Sequence, residues 1–207
     1  MKSRKFSLAI GVVVAMALTF GSMIFGAKSV KSGVASEYYP LNPGNVWTYK
    51  RTTAGETNLF KIKVTEPENE NSKIIVYYPN GNPRSFVYYS ENRQGIFKTK
   101  EIGEGGTFEY HPLWPVLSSS MKIGATWSWE SGNNKMKETA RVVAAEAVTV
   151  PAGTFNTLLV EYKGVYHNGV PYTDKTWYAK GVGYVKDEFT IAGQTILSEL
   201  HDYQLVK

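Results

Sequence analysis

The chain of 207 residues contains no cysteine. Disulfides, thiolate nucleophiles and cysteine-ligated metals are therefore excluded, and so is lipid attachment through a cysteine. Histidine is scarce. His111, His167 and His201 are the only three, and none has a second His at the short spacing that a local metal motif needs. Beyond residue 36 there is no long helix-favouring run. An excess of one charge is also missing where it would matter. Lys2, Arg4, Lys5, Lys28 and Lys31 precede Glu37 with no acid among them, and from Glu37 onward 18 Lys and Arg face 18 Asp and Glu. The basic pI of about 9.2 thus belongs to the first residues. A neutral remainder gives no electrostatic case for nucleic acid or for an anionic membrane surface.

What is present begins with an export signature. Basic Lys2, Arg4 and Lys5 are followed by Phe6 to Ala27, a run without a charge. Its length suits either a signal peptide, with Val34-Ala35-Ser36 as a small-residue cleavage site, or a retained N-terminal anchor. Both readings put the rest of the chain outside the cytoplasm, secreted or in the cell envelope, and the anchor keeps its positive residues inside. Residues 1–36 are read as leader plus linker. Residues 37–207 are long enough for one domain with a core of its own.

That remainder is rich in residues that suit sheet. Tyr 14, Phe 9 and Trp 5 are accompanied by many Val, Ile and Thr. Phe60, Ile62 and Val64 alternate with Lys61 and Lys63, as in a half-buried antiparallel strand. Pro79-Asn80-Gly81, Pro151-Ala152-Gly153 and Asn168-Gly169 mark turns. Read this way, residues 37–207 form an all-β antiparallel domain of about eleven strands. A strongly curved sheet, a half-barrel, is expected, with a two-sheet β-sandwich as the alternative.

Two stretches look like the starts of two copies. Tyr39 to Tyr49 reads Pro-Leu, a gap, then Gly-x-x-Trp-x-aromatic, and Pro112 to Trp129 reads the same. Tyr89 and Gly95 find counterparts in Tyr178 and Gly183. The expectation is an internal repeat, residues 38–106 and 111–207.

Three segments carry a resemblance: Tyr39-Pro40-Leu41 with Gly44-Asn45-Val46-Trp47-Thr48-Tyr49; Val150-Pro151-Ala152-Gly153-Thr154-Phe155; and Trp177-Tyr178-Ala179-Lys180-Gly181-Val182-Gly183-Tyr184-Val185-Lys186. Together the set resembles exported bacterial domains of unknown function. In those, a Val-Pro-Ala-Gly-Thr-Phe turn precedes a Tyr-Ala-x-Gly-Val-Gly-x-Val-Lys strand. The resemblance implies a curved sheet similar to the half-barrel of periplasmic lipoprotein carriers. It implies no reaction and no catalytic residues.

The residues themselves point to no reaction either. Ser118-Ser119-Ser120 lacks a Gly-x-Ser-x-Gly elbow. Gly103 to Gly106 is not followed by Gly-Lys-Ser/Thr, so it is no phosphate loop. Glu66, Glu68 and Glu70 lack the order of a calcium loop. His201 and Asp202 are neighbours on a strand and point to opposite faces. Glu101, Glu104, Glu109 and Glu130 are the nearest approach to the paired acids of a glycosidase. No catalytic residue, cofactor or metal is expected.

The aromatics remain. A curved sheet has a concave face that a helix, a second sheet or a ligand must fill, and no long helix is available. The expected function is a non-enzymatic carrier or binding domain whose aromatic-lined groove takes an apolar or lipid-like ligand. Trp114, Leu117, Met121, Trp127, Trp129 and Trp177 are the candidate ligand contacts. Thr107 to Ile123 is expected to be irregular, with at most one helical turn near His111 to Met121, folding over the sheet as a lid. Two other functions stay open. One is a cell-surface interaction module for an envelope protein or glycan. The other is a hydrolase with dispersed carboxylates.

Overall fold

The computed structural model describes residues 33–132, 135–166 and 168–206. The apolar run of the leader and His167 lie outside them. A short helix, α1 (Gly33–Tyr38), precedes twelve strands among the described residues. The first six are β1 (Val46–Thr53), β2 (Glu56–Glu68), β3 (Asn71–Tyr77), β4 (Pro83–Asn92), β5 (Gly95–Gly103) and β6 (Gly106–Ser118). The second six are β7 (Thr126–Glu130), β8 (Lys137–Val150), β9 (Gly153–Val165), β10 (Pro171–Ala179), β11 (Gly183–Ile191) and β12 (Gln194–Gln204).

All of them join one antiparallel sheet in the order β6-β5-β4-β3-β2-β1-β12-β11-β10-β9-β8-β7. The sheet curls until it is nearly closed into a barrel. The curved single sheet is what forms, and the two-sheet sandwich is not. Each half of the chain is a six-stranded meander, and β1 pairs with β12 to join them. The fourth strand of each meander carries a bulge at a comparable place, between Tyr88 and Tyr89 in β4 and between Trp177 and Tyr178 in β10.

The alternation seen in the sequence sorts side chains to two faces. Trp47 and Tyr49 on β1, Phe60, Ile62 and Val64 on β2, and Val87 and Tyr89 on β4 are buried on the inner face. Two of them tie strands that are not neighbours in the sheet. The Trp47 indole N–H donates to the Val182 carbonyl (2.7 Å), and the Tyr49 hydroxyl donates to the Tyr184 carbonyl (2.9 Å). These polar tips are buried with partners, so their rings add apolar burial without an unsatisfied donor.

Two expectations are corrected. First, Gly106–Ser118 is the strand β6, not an irregular lid with a helical turn. It pairs with β5 from Gly103↔Gly106 to Gly95↔Ser118, with register shifts between Ile96 and Phe97 and between Lys98 and Lys100. Pro112 and Pro115 argued against regular structure, but a proline is tolerated on an edge strand, where one row of N–H groups has no ladder to serve. β6 is such an edge, and it supplies the twelfth strand. Second, Glu66 to Ser72, which reads from its acids, asparagines and Pro67 as a polar loop, is a tight hairpin. Asn69 and Glu70 both take positive φ (50° and 65°), which lets two residues turn the chain. The helix α1, Gly33–Tyr38, packs onto the sheet. Ala35 is fully buried, and Tyr39 and Leu41 pack beside it in the core. The Gly181 N–H donates to the Glu37 carbonyl, and Lys180 pairs with the Glu37 carboxylate at 3.0 Å. In this way α1 and the turn after it close one end of the barrel.

The two edges, β6 and β7, meet without a shared ladder. Side chains make most of the bridge between them. The indole N–H of Trp129 donates to the Pro112 carbonyl (2.8 Å) and that of Trp127 to the Pro115 carbonyl (3.2 Å). Tyr162 on β9 adds a third bond, from its hydroxyl to the Val116 carbonyl (3.0 Å). One backbone bond joins the edges as well, from the Gly132 N–H just past β7 to the His111 carbonyl (2.9 Å), and tryptophan donors stand in for the rest of the missing ladder.

Candidate binding cavity

The interior is not filled. A cavity of about 310 Å³ starts at Tyr39, at the end closed by α1, and extends to Phe189 at the far end of β11. Aromatic rings make much of its wall, among them Tyr89, Trp114, Tyr162, Tyr178 and Tyr184. They come from β4, β6, β9, β10 and β11, each from an inward position of its strand.

One side of the cavity is acidic. Glu138 on β8 is only 7% exposed. Its two oxygens accept from the Trp114 indole N–H (2.7 Å) and the Tyr172 hydroxyl (2.6 Å). Burial raises its pKa, and the two hydrogen bonds lower it in part. Asp174 on β10 and Asp187 on β11 also line the cavity and share a hydrogen bond. The Thr176 hydroxyl donates to Asp174 at 3.1 Å. Burial raises both carboxyls, and the nearby Asp174 charge raises Asp187 further, so that Asp187 lies well above the ordinary carboxylate range. Two carboxyls in direct hydrogen bond are closer than the roughly 5 Å or more that paired glycosidase acids keep.

The phenols are held neutral. Burial pushes Tyr39 up to about 12, and Tyr49, Tyr162 and Tyr184 are raised further by the same cause. Tyr162 and Tyr178 hydroxyls sit 3.2 Å apart in a shared hydrogen bond. These groups offer hydrogen bonds and ring faces, not phenolate bases.

A second cavity, of about 450 Å³, adjoins the first through Ile62, Val76, Val87 and Tyr184, which line both. It opens toward the β5–β6 turn, where Gly103, Glu104 and Gly105 border it, at the end opposite α1. Arg51 and Arg84 line it. The Arg51 guanidinium lies 4.0 Å over the Phe60 ring, and its Nε is buried without a hydrogen-bond partner among the described residues.

The sequence-derived candidates divide by face. Trp114 lines the cavity. Trp129 stacks on Trp114 from behind, at the seam. Trp127 packs edge-on against Tyr162 with centroids 6.1 Å apart and lies in the seam rather than in the cavity. Leu117 and Met121 are core residues and do not line it. Trp177 is on the other face of β10 from Asp174, Thr176 and Tyr178. Its indole donates to the Glu146 carboxylate (2.5 Å), and the Lys186 ammonium sits 4.6 Å over its ring. Of the six, only Trp114 therefore reaches the cavity.

The expected acid grouping is dispersed. Glu101 pairs with Lys98 (3.2 Å), Glu104 accepts from the Tyr78 hydroxyl, Glu109 lies near the exposed His111, and Glu130 pairs with Lys137 (3.1 Å). Glu68 pairs with Lys73 across the β2–β3 hairpin (2.8 Å). Among the described residues no three His, Cys, Asp or Glu gather as metal ligands, and no helix is long and apolar enough to cross a membrane. The polar groups of the interior, Arg51, Glu138, Asp174 and Asp187, were not singled out from the sequence. Their signal was parity. Glu138 shares the phase of Ala140 and Val142, and Asp174 that of Tyr172, Thr176 and Tyr178.

Residues 120–198 match the model of the DUF3108-like family, which covers β7 to β11 and the start of β12. No curated protein matches the chain. Among solved structures, a protein described as a lipoprotein from Parabacteroides distasonis is similar at 14% identity and a TM-score of 0.44, over 81% of this chain and 98% of its own. A protein described as exported, with a YmcC-like fold, from Bacteroides fragilis is similar at 14% identity and 0.43, over 81% and 99%. The lipoprotein YmcC of Escherichia coli gives 11% and 0.42, over 84% and 91%. A likeness at these scores carries no information about ligand or reaction.

Proposed function

We propose that this chain is an exported, non-catalytic binding domain that carries a small amphipathic molecule inside its half-barrel. The observation that carries the proposal is the unfilled interior. The closed end is sealed by α1, yet behind it lies a cavity of about 310 Å³ walled by Tyr and Trp. Small-molecule sites have this size and this mixture of apolar wall with a few placed polar groups. Export rests on the basic residues and uncharged run of the leader. Glu138, Asp174 and Asp187 modify the apolar ligand expected from the sequence. These groups already have partners in the protein, but a wholly hydrocarbon ligand would lie against them and satisfy none of their remaining hydrogen-bonding capacity. A ligand with an apolar body and hydrogen-bonding oxygens or nitrogens suits both walls.

Native mass spectrometry of the protein purified from its own host tests this. A co-purifying small-molecule mass, lost on denaturation and restored from a host lipid extract, is the expected result. A clean apo mass with no uptake from the extract would overturn the proposal.

A further inference from the structure

The second cavity brings together two arginines, Arg51 and Arg84, and two glutamates, Glu101 and Glu104, and Arg51 makes no ion pair among the described residues. Arg51 projects from β1 into the barrel mouth, in phase with the buried Trp47 and Tyr49. Its Nε–H has no acceptor among the described residues. Guanidinium groups keep their charge at any physiological pH, and a buried donor left unmade is costly. Arg84 lines the same cavity and is close enough to disfavour the Arg51 charge. Two like charges have been brought to one space.

Glu101 and Glu104 line the same cavity, but neither pairs with an arginine among the described residues. Glu101 accepts from the Lys98 ammonium at 3.2 Å and from the Tyr110 hydroxyl at 3.3 Å. Glu104 accepts from the Tyr78 hydroxyl. Asp187 feels Arg51 across the cavity, but it is hydrogen-bonded to Asp174, and burial favours its protonated form. Around Arg51 the wall is apolar, with Phe60, Ile62, Val76 and Phe108.

We propose that Arg51, assisted by Arg84, anchors an anionic oxygen group of the ligand at the barrel mouth, so that the carried molecule is an anionic amphiphile with its body in the tyrosine-lined cavity. The inference rests on the binding function proposed above. The required chemistry is a carboxylate or phosphate oxyanion, which the planar guanidinium fork engages through two parallel bonds. Position supports this order of head and body. The cation lining the tyrosine-walled cavity, Lys98, is paired with Glu101, and Lys180 at the α1 end is paired with Glu37, whereas Arg51 and Arg84 stand where the interior opens.

The test compares three probes of equal chain length on the full chain by calorimetric titration: decanoate, decyl phosphate and decanol. Wild type is expected to bind one or both anions at least ~10-fold more tightly than decanol, the size of one charge-assisted pairing. Whichever anion binds more tightly identifies the head group. In Arg51→Gln that preference falls to about 1-fold while decanol binding is unchanged. Arg51→Lys retains part of it, because charge survives and the fork does not. Arg84→Gln reduces the preference less, and it carries the test if Arg51→Gln does not fold. Equal affinity for all three probes in wild type, or a preference that survives in Arg51→Gln, would overturn the anchor while leaving the binding function standing. No uptake of any probe, together with a clean apo mass, would overturn both.

Discussion

Trp114 and Trp129 lie face to face across the seam of the barrel, with ring centroids 4.9 Å apart and planes within 4°. The pair joins the two edge strands, β6 and β7, which share no ladder. The same Trp114 indole donates inward to Glu138, so one side chain belongs to both the seam and the cavity wall.

Removing Trp129 should therefore loosen the seam first. Trp129→Ala is expected to lower stability by about 3–5 kcal/mol, as large aromatic truncations in a core do. Trp129→Phe keeps a stacked ring but leaves the Pro112 carbonyl without its donor, at about 1–2 kcal/mol. Urea unfolding reads both. A midpoint unmoved by Trp129→Ala would show that the seam contributes nothing to the folded state.

The paired acids set a pH dependence. Burial raises Asp187 and Asp174 in the folded state above their ordinary values. The folded protein then binds protons that the unfolded chain has released, so stability falls as pH rises between the two states' values. Their contribution is fully present below the ordinary Asp range and is lost as pH climbs through the raised values. Thermal melting is expected to be highest in mild acid and to decline toward neutrality. Asp187→Asn should flatten that decline and raise the neutral-pH melting temperature by a few degrees, about 1 kcal/mol. An unchanged slope in this variant would contradict the assignment.

Gly95 and Gly55 both have positive φ, but their surroundings differ. At Gly95 (φ 148°) an added Cβ would collide with the Leu117 carbonyl of β6, which is backbone and cannot swing aside. At Gly55 (φ 86°) nothing lies within reach. Gly55→Ala should cost about 1 kcal/mol from backbone strain alone. Gly95→Ala should cost at least twice that, because β6 must shift. Equal midpoints for the two variants in denaturant would count against close β5–β6 contact.

The buried Ala35 makes a prediction about processing. Cleavage after Ser36 would remove part of α1, including the carbonyl that accepts from the Tyr39 N–H at 3.1 Å. Intact-mass analysis of the exported protein is expected to show an N-terminus at or before Gly33. A mature chain starting at Glu37, with unchanged melting temperature against a version starting at Gly33, would show that α1 is dispensable.

Much of the sheet was legible because period-two alternation is a local property. Phe60, Ile62 and Val64 against Lys61 and Lys63 placed β2 and its inward face without tertiary information. Turn residues did the same for the β9 entry at Pro151-Ala152-Gly153. β6 was misread because Pro112 and Pro115 forbid a central strand but not an edge strand, and edge position is fixed only by the sheet order. Of the six candidate contacts only Trp114 lines the cavity, and for Trp177 the reason is related. Alternation says that Trp177 and Tyr178 face opposite ways, but not which face is the interior. That sign depends on which way the sheet curls. Arg51, Glu138, Asp174 and Asp187 were hidden because a charged residue at one phase of one strand is ambiguous until its neighbours on other strands are known.

The sequence by itself determined the class of this protein: a cysteine-free antiparallel β domain whose charges balance from Glu37 onward. Those follow from composition and short-range periodicity, which act within a few residues. Only the tertiary structure decided that the sheet nearly closes, that α1 packs at one end, and that acids and an arginine with an unbonded Nε share the interior. Those depend on curvature accumulated over twelve strands, which brings together residues as distant as Arg51 and Asp187.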